Sequence, residues 1–67
     1  MVNEIDKYND MLKKEYGESI TVEIKSAIDD DDSQYYYYTS AHKGDSDDFE
    51  TVEEAYVDAC IYLKYGI

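Results

Sequence analysis

Positive charge is what this chain has least of. Its 67 residues include six lysines and no arginine against seventeen acids, for a net charge of -11. No basic patch is available to hold phosphate, so direct nucleic-acid binding is not expected. Tryptophan and proline are also absent beside abundant Asp, Lys, Tyr and Ile, a composition that fits an AT-rich coding sequence. The single cysteine, Cys60, cannot close an internal disulfide, which fits a reducing cytoplasm. The longest apolar stretch is only a few residues, so neither a signal peptide nor a membrane span is expected. Cys60 and His42 are each alone of their kind, which leaves no set of ligands for a metal and no nucleophile with its base. A Gly-rich phosphate loop, G-x-S-x-G and H-E-x-x-H are all missing, and so short a chain has little room for a substrate cleft. These absences point to a non-enzyme without cofactor or metal.

The acids are not spread evenly. Eleven of them (Asp29, Asp30, Asp31, Asp32, Asp45, Asp47, Asp48, Glu50, Glu53, Glu54 and Asp58) face one base, Lys43, between positions 29 and 58. Outside that segment six acids stand against five lysines, so the excess is local and makes a directed field. Like charges held together lower the stability of a small fold, and their concentration suggests a surface kept for a basic partner; solubility is the blander account. Calcium is a poor fit to either acidic loop. Counted from Asp45, the D-x-[DN]-x-[DN]-G-x5-E pattern meets Phe49 at its fifth position, Glu50 in place of its glycine and Tyr56 in place of its last glutamate. Counted from Asp29, the loop has no glycine at all.

One domain, residues 1–67, is all this length allows, and such a chain buries only about 60% of the surface its unfolded form exposes. A mean hydropathy of -0.71 leans towards disorder, yet 43% hydrophobic residues and nine tyrosines favour a folded domain. From Asn3 to Tyr16, Ile5, Tyr8, Leu12 and Tyr16 recur every three or four residues, the mark of an amphipathic helix that Gly17 would end. From Ser19 to Ile28 the pattern alternates, with Ile20, Val22, Ile24 and Ile28 on the inner face of a half-buried strand. The aspartates 29–32 turn the chain, and residues 34–42 return as the second strand of a hairpin. Phe49 either starts a short third strand or plugs the core. Thr51 and Glu54 form a capping box for a second helix reaching Tyr65, with Val52, Ala55, Tyr56, Ala59, Tyr62 and Leu63 inward and Cys60 on the edge of that face. The expected fold is α+β: helix, β-hairpin, helix, with both helices on one side of a small antiparallel sheet.

The second helix carries more apolar residues than one face can use. Val57, Ile61 and Tyr65 recur every four residues roughly opposite Val52 and Leu63, so a homodimer is expected through them unless the sheet or C-terminus covers the stripe. Glu50, Glu54 and Asp58 repeat at the same spacing and repel one another. The helix dipole rewards the acids near its start, but it offers nothing to Asp58 in mid-helix. Half of the rings from Tyr35 to Tyr38 must point away from a one-sided core, and Tyr36 and Tyr38 are assigned to the partner-binding surface.

In the run Asp29–Asp32, the loop Gly44-Asp45-Ser46-Asp47-Asp48 and the stripe Glu50, Glu54, Asp58, the chain resembles the small acidic DNA-mimic proteins with which bacteriophages disable host DNA-binding proteins. The likeness is one of charge and placement, covers about half the chain, and implies no particular fold. It implies a takeover or counter-defence role in the cytoplasm of a bacterial host. The partner would be a basic DNA-binding protein, with an HU-type nucleoid protein first, and restriction enzymes, CRISPR effectors or polymerase factors as alternatives. A protein adaptor working through the apolar stripe is the competing class.

Overall fold

The computed structural model describes residues 4–66, and its element order is α1 (Glu4–Tyr16), β1 (Glu23–Ile28), β2 (Gln34–Ser40), β3 (Gly44–Asp45) and α2 (Val52–Tyr65). Asn3, where the amphipathic pattern begins, lies outside the described residues. The strands form one antiparallel sheet in the order β1-β2-β3, and both helices pack on the same face of it, so the fold is α+β as the patterning predicts. Leu12 from α1, Val22 beside β1, Ile24 from β1, Tyr38 from β2 and Val52, Ala55 and Ala59 from α2 form the buried centre. The two alanines, fully buried, let α2 lie close to the sheet and to α1.

Each helix ends where its sequence says. Glu4 and Asp6 in the first turn of α1 and Lys13 and Lys14 in its last turn complement the helix dipole. Thr51 caps α2 with its hydroxyl, which accepts from the Glu54 amide at 3.2 Å and donates to the Glu54 carboxylate at 3.1 Å. At the other end Gly66 adopts the left-handed conformation (φ 73°) and donates its amide to the Tyr62 carbonyl at 2.7 Å.

The hairpin register fixes which tyrosines are buried. Ile24 lies opposite Tyr38, Ser26 opposite Tyr36 and Ile28 opposite Gln34. Opposite residues share a face, so the even-numbered positions of β2 turn inward. The tip explains this register. Asp29 accepts from the Asp32 amide at 3.0 Å and donates to the Ser33 carbonyl at 2.8 Å, and Asp32 sits at φ 65°. That is a three-residue loop closed by a left-handed residue, a position that usually belongs to glycine. An Asp32→Gly substitution is therefore expected to stabilise the protein by about 1 kcal/mol, while Asp32→Val should destabilise it, as urea unfolding of the three proteins would measure.

Two parts of the predicted first strand behave differently. Residues 19–22 precede the ladder, because β2 leaves the sheet at Ser40 and the Ala41 amide turns instead to the Thr21 hydroxyl at 3.4 Å. Ile28 is on the predicted side but 69% exposed, since its pair with Gln34 stands at the hairpin end, outside the core cluster.

Phe49 both pairs and plugs. Beyond Asp45 the Ser46 amide donates to the Tyr38 carbonyl at 2.8 Å, and Phe49 then exchanges backbone bonds of 2.7 and 2.8 Å with Tyr36. An uninterrupted register from Thr39 and Asp45 would set Asp48 opposite Tyr36, facing the core. Phe49 stands there instead, so residues 46–48 accommodate one extra residue as a β-bulge. The bulge brings the aromatic ring to the core and leaves Asp47 and Asp48 exposed.

Candidate functional site

At the hairpin tip the aspartates bind their own backbone. The Asp29 carboxylate accepts from the Asp30 amide at 2.6 Å, and the Asp31 carboxylate from the Ser33 amide at 3.2 Å. Hydrogen bonds from Ser33, side chain first and backbone second, hold the Asp31 carboxyl below its ordinary range, so its charge is secure. The run is thus both turn and charge display.

The second acidic loop meets the first in space. Burial, then the charge of Asp48, the neighbouring Tyr37, and the charges of Asp29 and Asp45 push the Tyr35 phenol above its ordinary value. The charges of both acidic loops therefore act on one ring. Tyr35 and Tyr37, with centroids 6.1 Å apart, lie on the sheet face opposite the helices, beside Lys25, Ala27 and Thr39. These are the outward tyrosines. The assignment of Tyr36 and Tyr38 to a partner-binding surface is corrected: Tyr38 has no exposed surface and Tyr36 packs against the core, because the tip register turns even positions inward.

The helix stripe is also revised. Glu50 precedes the N-cap Thr51 and is not on α2, which leaves Glu54 exposed on the first turn with Glu53 beside it. Asp58 does have a structural partner. Its carboxylate accepts a 2.7 Å hydrogen bond from the Tyr38 hydroxyl, which in turn accepts from the Lys43 ammonium at 3.1 Å. The same ammonium lies 5.5 Å from the Tyr38 ring centre and 5.2 Å from that of Tyr62. Ser40, also buried, donates to the Tyr62 hydroxyl at 3.3 Å and accepts from the Lys43 amide at 3.0 Å. Burial and the bond to Asp58 raise the Tyr38 phenol against the opposing pull of Lys43.

This network changes the charge pattern of the surface. Lys43, the one base of the acidic segment, and half-buried Asp58 are drawn together across Tyr38. The other ten acids of the segment, Asp29, Asp30, Asp31, Asp32, Asp45, Asp47, Asp48, Glu50, Glu53 and Glu54, are all exposed. Within positions 29–58 no other base stands among them, while Lys25 lies on the outer sheet face beside Tyr37. Val57, Ile61 and Tyr65 are exposed too, by 55, 42 and 63%.

Sequence reasoning missed Asn9. Its side-chain carbonyl accepts from the Ile24 amide at 2.7 Å and its side-chain amide donates to the Ile24 carbonyl at 3.1 Å, so that α1 seals part of the free edge of β1. The one available signal was its position, an amide beside the apolar stripe of α1, one turn after Ile5.

Among the described residues no group of three or more His, Cys, Asp or Glu is arranged to hold a metal ion, and no helix is long and apolar enough to cross a membrane. No protein-family model, curated protein or solved structure matches this chain.

Proposed function

We propose that the chain is a DNA-mimic inhibitor: it presents carboxylates in place of phosphates to the basic DNA-binding surface of a bacterial host protein and displaces DNA from it. The observation that carries this reading is the set of ten exposed acids, against which the outer sheet face sets one base, Lys25, once Lys43 and Asp58 pair across Tyr38. DNA offers one phosphate per roughly 3.4 Å along each strand, and proteins that grip it gain affinity by releasing the counterions those phosphates hold. A fixed array of carboxylates holds counterions in the same way and offers the same gain. The rings of Tyr35 and Tyr37, 6.1 Å apart on the outer sheet face, add surfaces on which arginine side chains can stack. An HU-type nucleoid protein suits such a surface best, since it reads backbone and deformability rather than sequence. A restriction enzyme or CRISPR effector would meet it through the same chemistry.

The test is displacement of a labelled DNA duplex from a purified HU-type protein, followed across salt concentrations. The chain should release the duplex, with an affinity that falls steeply as salt rises. Asn at positions 30, 45, 47 and 48 should weaken it and flatten the salt slope by about one for each contact removed. Failure with the HU-type protein but success with a restriction or CRISPR target would move the target and keep the mimicry. Affinity for a captured partner that ignores both salt and these substitutions would overturn mimicry in favour of an adaptor working through exposed Val57, Ile61 and Tyr65.

A further inference from the structure

We infer that the outer stripe of α2 is the seam of a two-fold dimer, and that its occupant is the antiparallel α2 of a second copy of this chain. The observation is a gradient of charge along an exposed apolar ridge. At its N-terminal end Val57 shares a shallow depression with Glu53, Glu54 and Asp58. At its C-terminal end the Lys64 ammonium lies over the Tyr65 ring, 5.4 Å from its centre. Between them Ile61 borders a groove of about 380 Å³ walled by Tyr16 and Tyr56, with Cys60 beside them and Glu15 and Lys64 as its charged lining residues.

Three consequences select a second copy in this orientation. A parallel partner would set Glu53 and Glu54 against their own duplicates, whereas an antiparallel one lays each Lys64 near the acidic end of the other helix and also opposes the two helix dipoles. The groove has one charge of each sign, so two chains of net charge -11 can approach here away from the aspartates of the two acidic loops. Ridge and groove adjoin on one surface, which is what a self-complementary two-fold contact requires. The smallest stable interfaces take roughly 600 Å² from each partner, about an eighth of the 4855 Å² this chain exposes.

Sedimentation of the full chain at micromolar concentration tests the inference, and it does not depend on DNA mimicry. Wild type should sediment at twice the 7.8 kDa chain mass and Ile61→Asp as a monomer. Lys64→Glu, a surface change that leaves the core intact, should weaken the dimer about tenfold, because each substitution counts twice in a two-fold assembly. Adding Glu53→Lys to Lys64→Glu should restore it. A monomeric wild type overturns the inference. So does a dimer indifferent to Ile61→Asp and Lys64→Glu, or one that the charge exchange fails to rescue.

Discussion

Replacing Asn9 with alanine is expected to lower stability by about 2–3 kcal/mol. The Asn9 side chain both accepts from and donates to the Ile24 backbone, at 2.7 and 3.1 Å, on the side of β1 that faces away from β2. Alanine removes both bonds and leaves a partly buried amide and carbonyl unpaired beside fully buried Leu12 and Ile24. A domain of 67 residues has on the order of 3–10 kcal/mol of stability in all, so this is a large share. Urea unfolding gives the magnitude, and hydrogen exchange gives the place, because the Ile24 amide should lose protection before its neighbours in β2. Asn9→Asp is the sharper control. It keeps the acceptor but aims a carboxylate at the Ile24 carbonyl, and protonation in acid would supply the missing donor. A loss below about 0.5 kcal/mol for Asn9→Ala would mean that water replaces the amide and that the edge needs no plug.

Raising the pH past about 10 is expected to unfold the protein steeply. The Tyr56 phenol is pushed up to about 12, first by burial, then by the neighbouring Cys60 thiol and by Glu15, whose carboxylate accepts from the Tyr56 hydroxyl at 3.4 Å. Burial likewise raises Tyr8, Tyr35 and Tyr38, and the neighbouring Cys60 thiol together with burial raises Tyr16. In the unfolded chain these phenols ionise near 10. The folded state therefore keeps protons that the unfolded state loses. Their contribution to stability is fully present below about pH 10 and declines as pH rises towards and through the folded values. Tyr38, which has no exposed surface, and Tyr56 each steepen the decline by up to about 1.4 kcal/mol per pH unit, and added negative charge on a chain at -11 acts in the same direction. Tyrosinate absorbance should lag behind free tyrosine and then jump as the fold is lost. Equal urea midpoints at about pH 9 and pH 11 would show that these rings are open to water in the folded state.

The parts of the fold that were legible in the sequence are those whose signal is local. Thr51 with Glu54 and Gly66 mark the ends of α2 through contacts within one turn, and the same capping box already placed Glu50 outside the helix. What was not legible depends on register or on distant partners. Four consecutive tyrosines have no alternation, so either parity fits the pattern. The choice between them rests on a left-handed Asp32 that a non-glycine sequence conceals. Asp58 looked idle because its partners, Tyr38 and Lys43, lie twenty and fifteen residues earlier in the chain. Asn9 was silent for another reason: it pairs with backbone, which leaves no complementary side chain to notice. The exposure of the acidic run could be foreseen, because charged residues in turns have nowhere else to go.

The bulge at residues 46–48 bears on a hazard that any tyrosine-rich strand carries. A segment such as Gln34–Ser40, aromatic and without charge, is the kind that stacks with its own copies into cross-β fibres when its edges are open. Here it is the middle strand of three, paired on both sides. Each outer edge is spoiled by a different means: on β1 a side-chain amide occupies the backbone of Ile24, and beyond β3 an irregular step carries two exposed aspartates. A second sheet finds neither a straight nor an uncharged border to extend, so the same two devices that shape the edges guard the aromatic strand between them against strand-to-strand pairing.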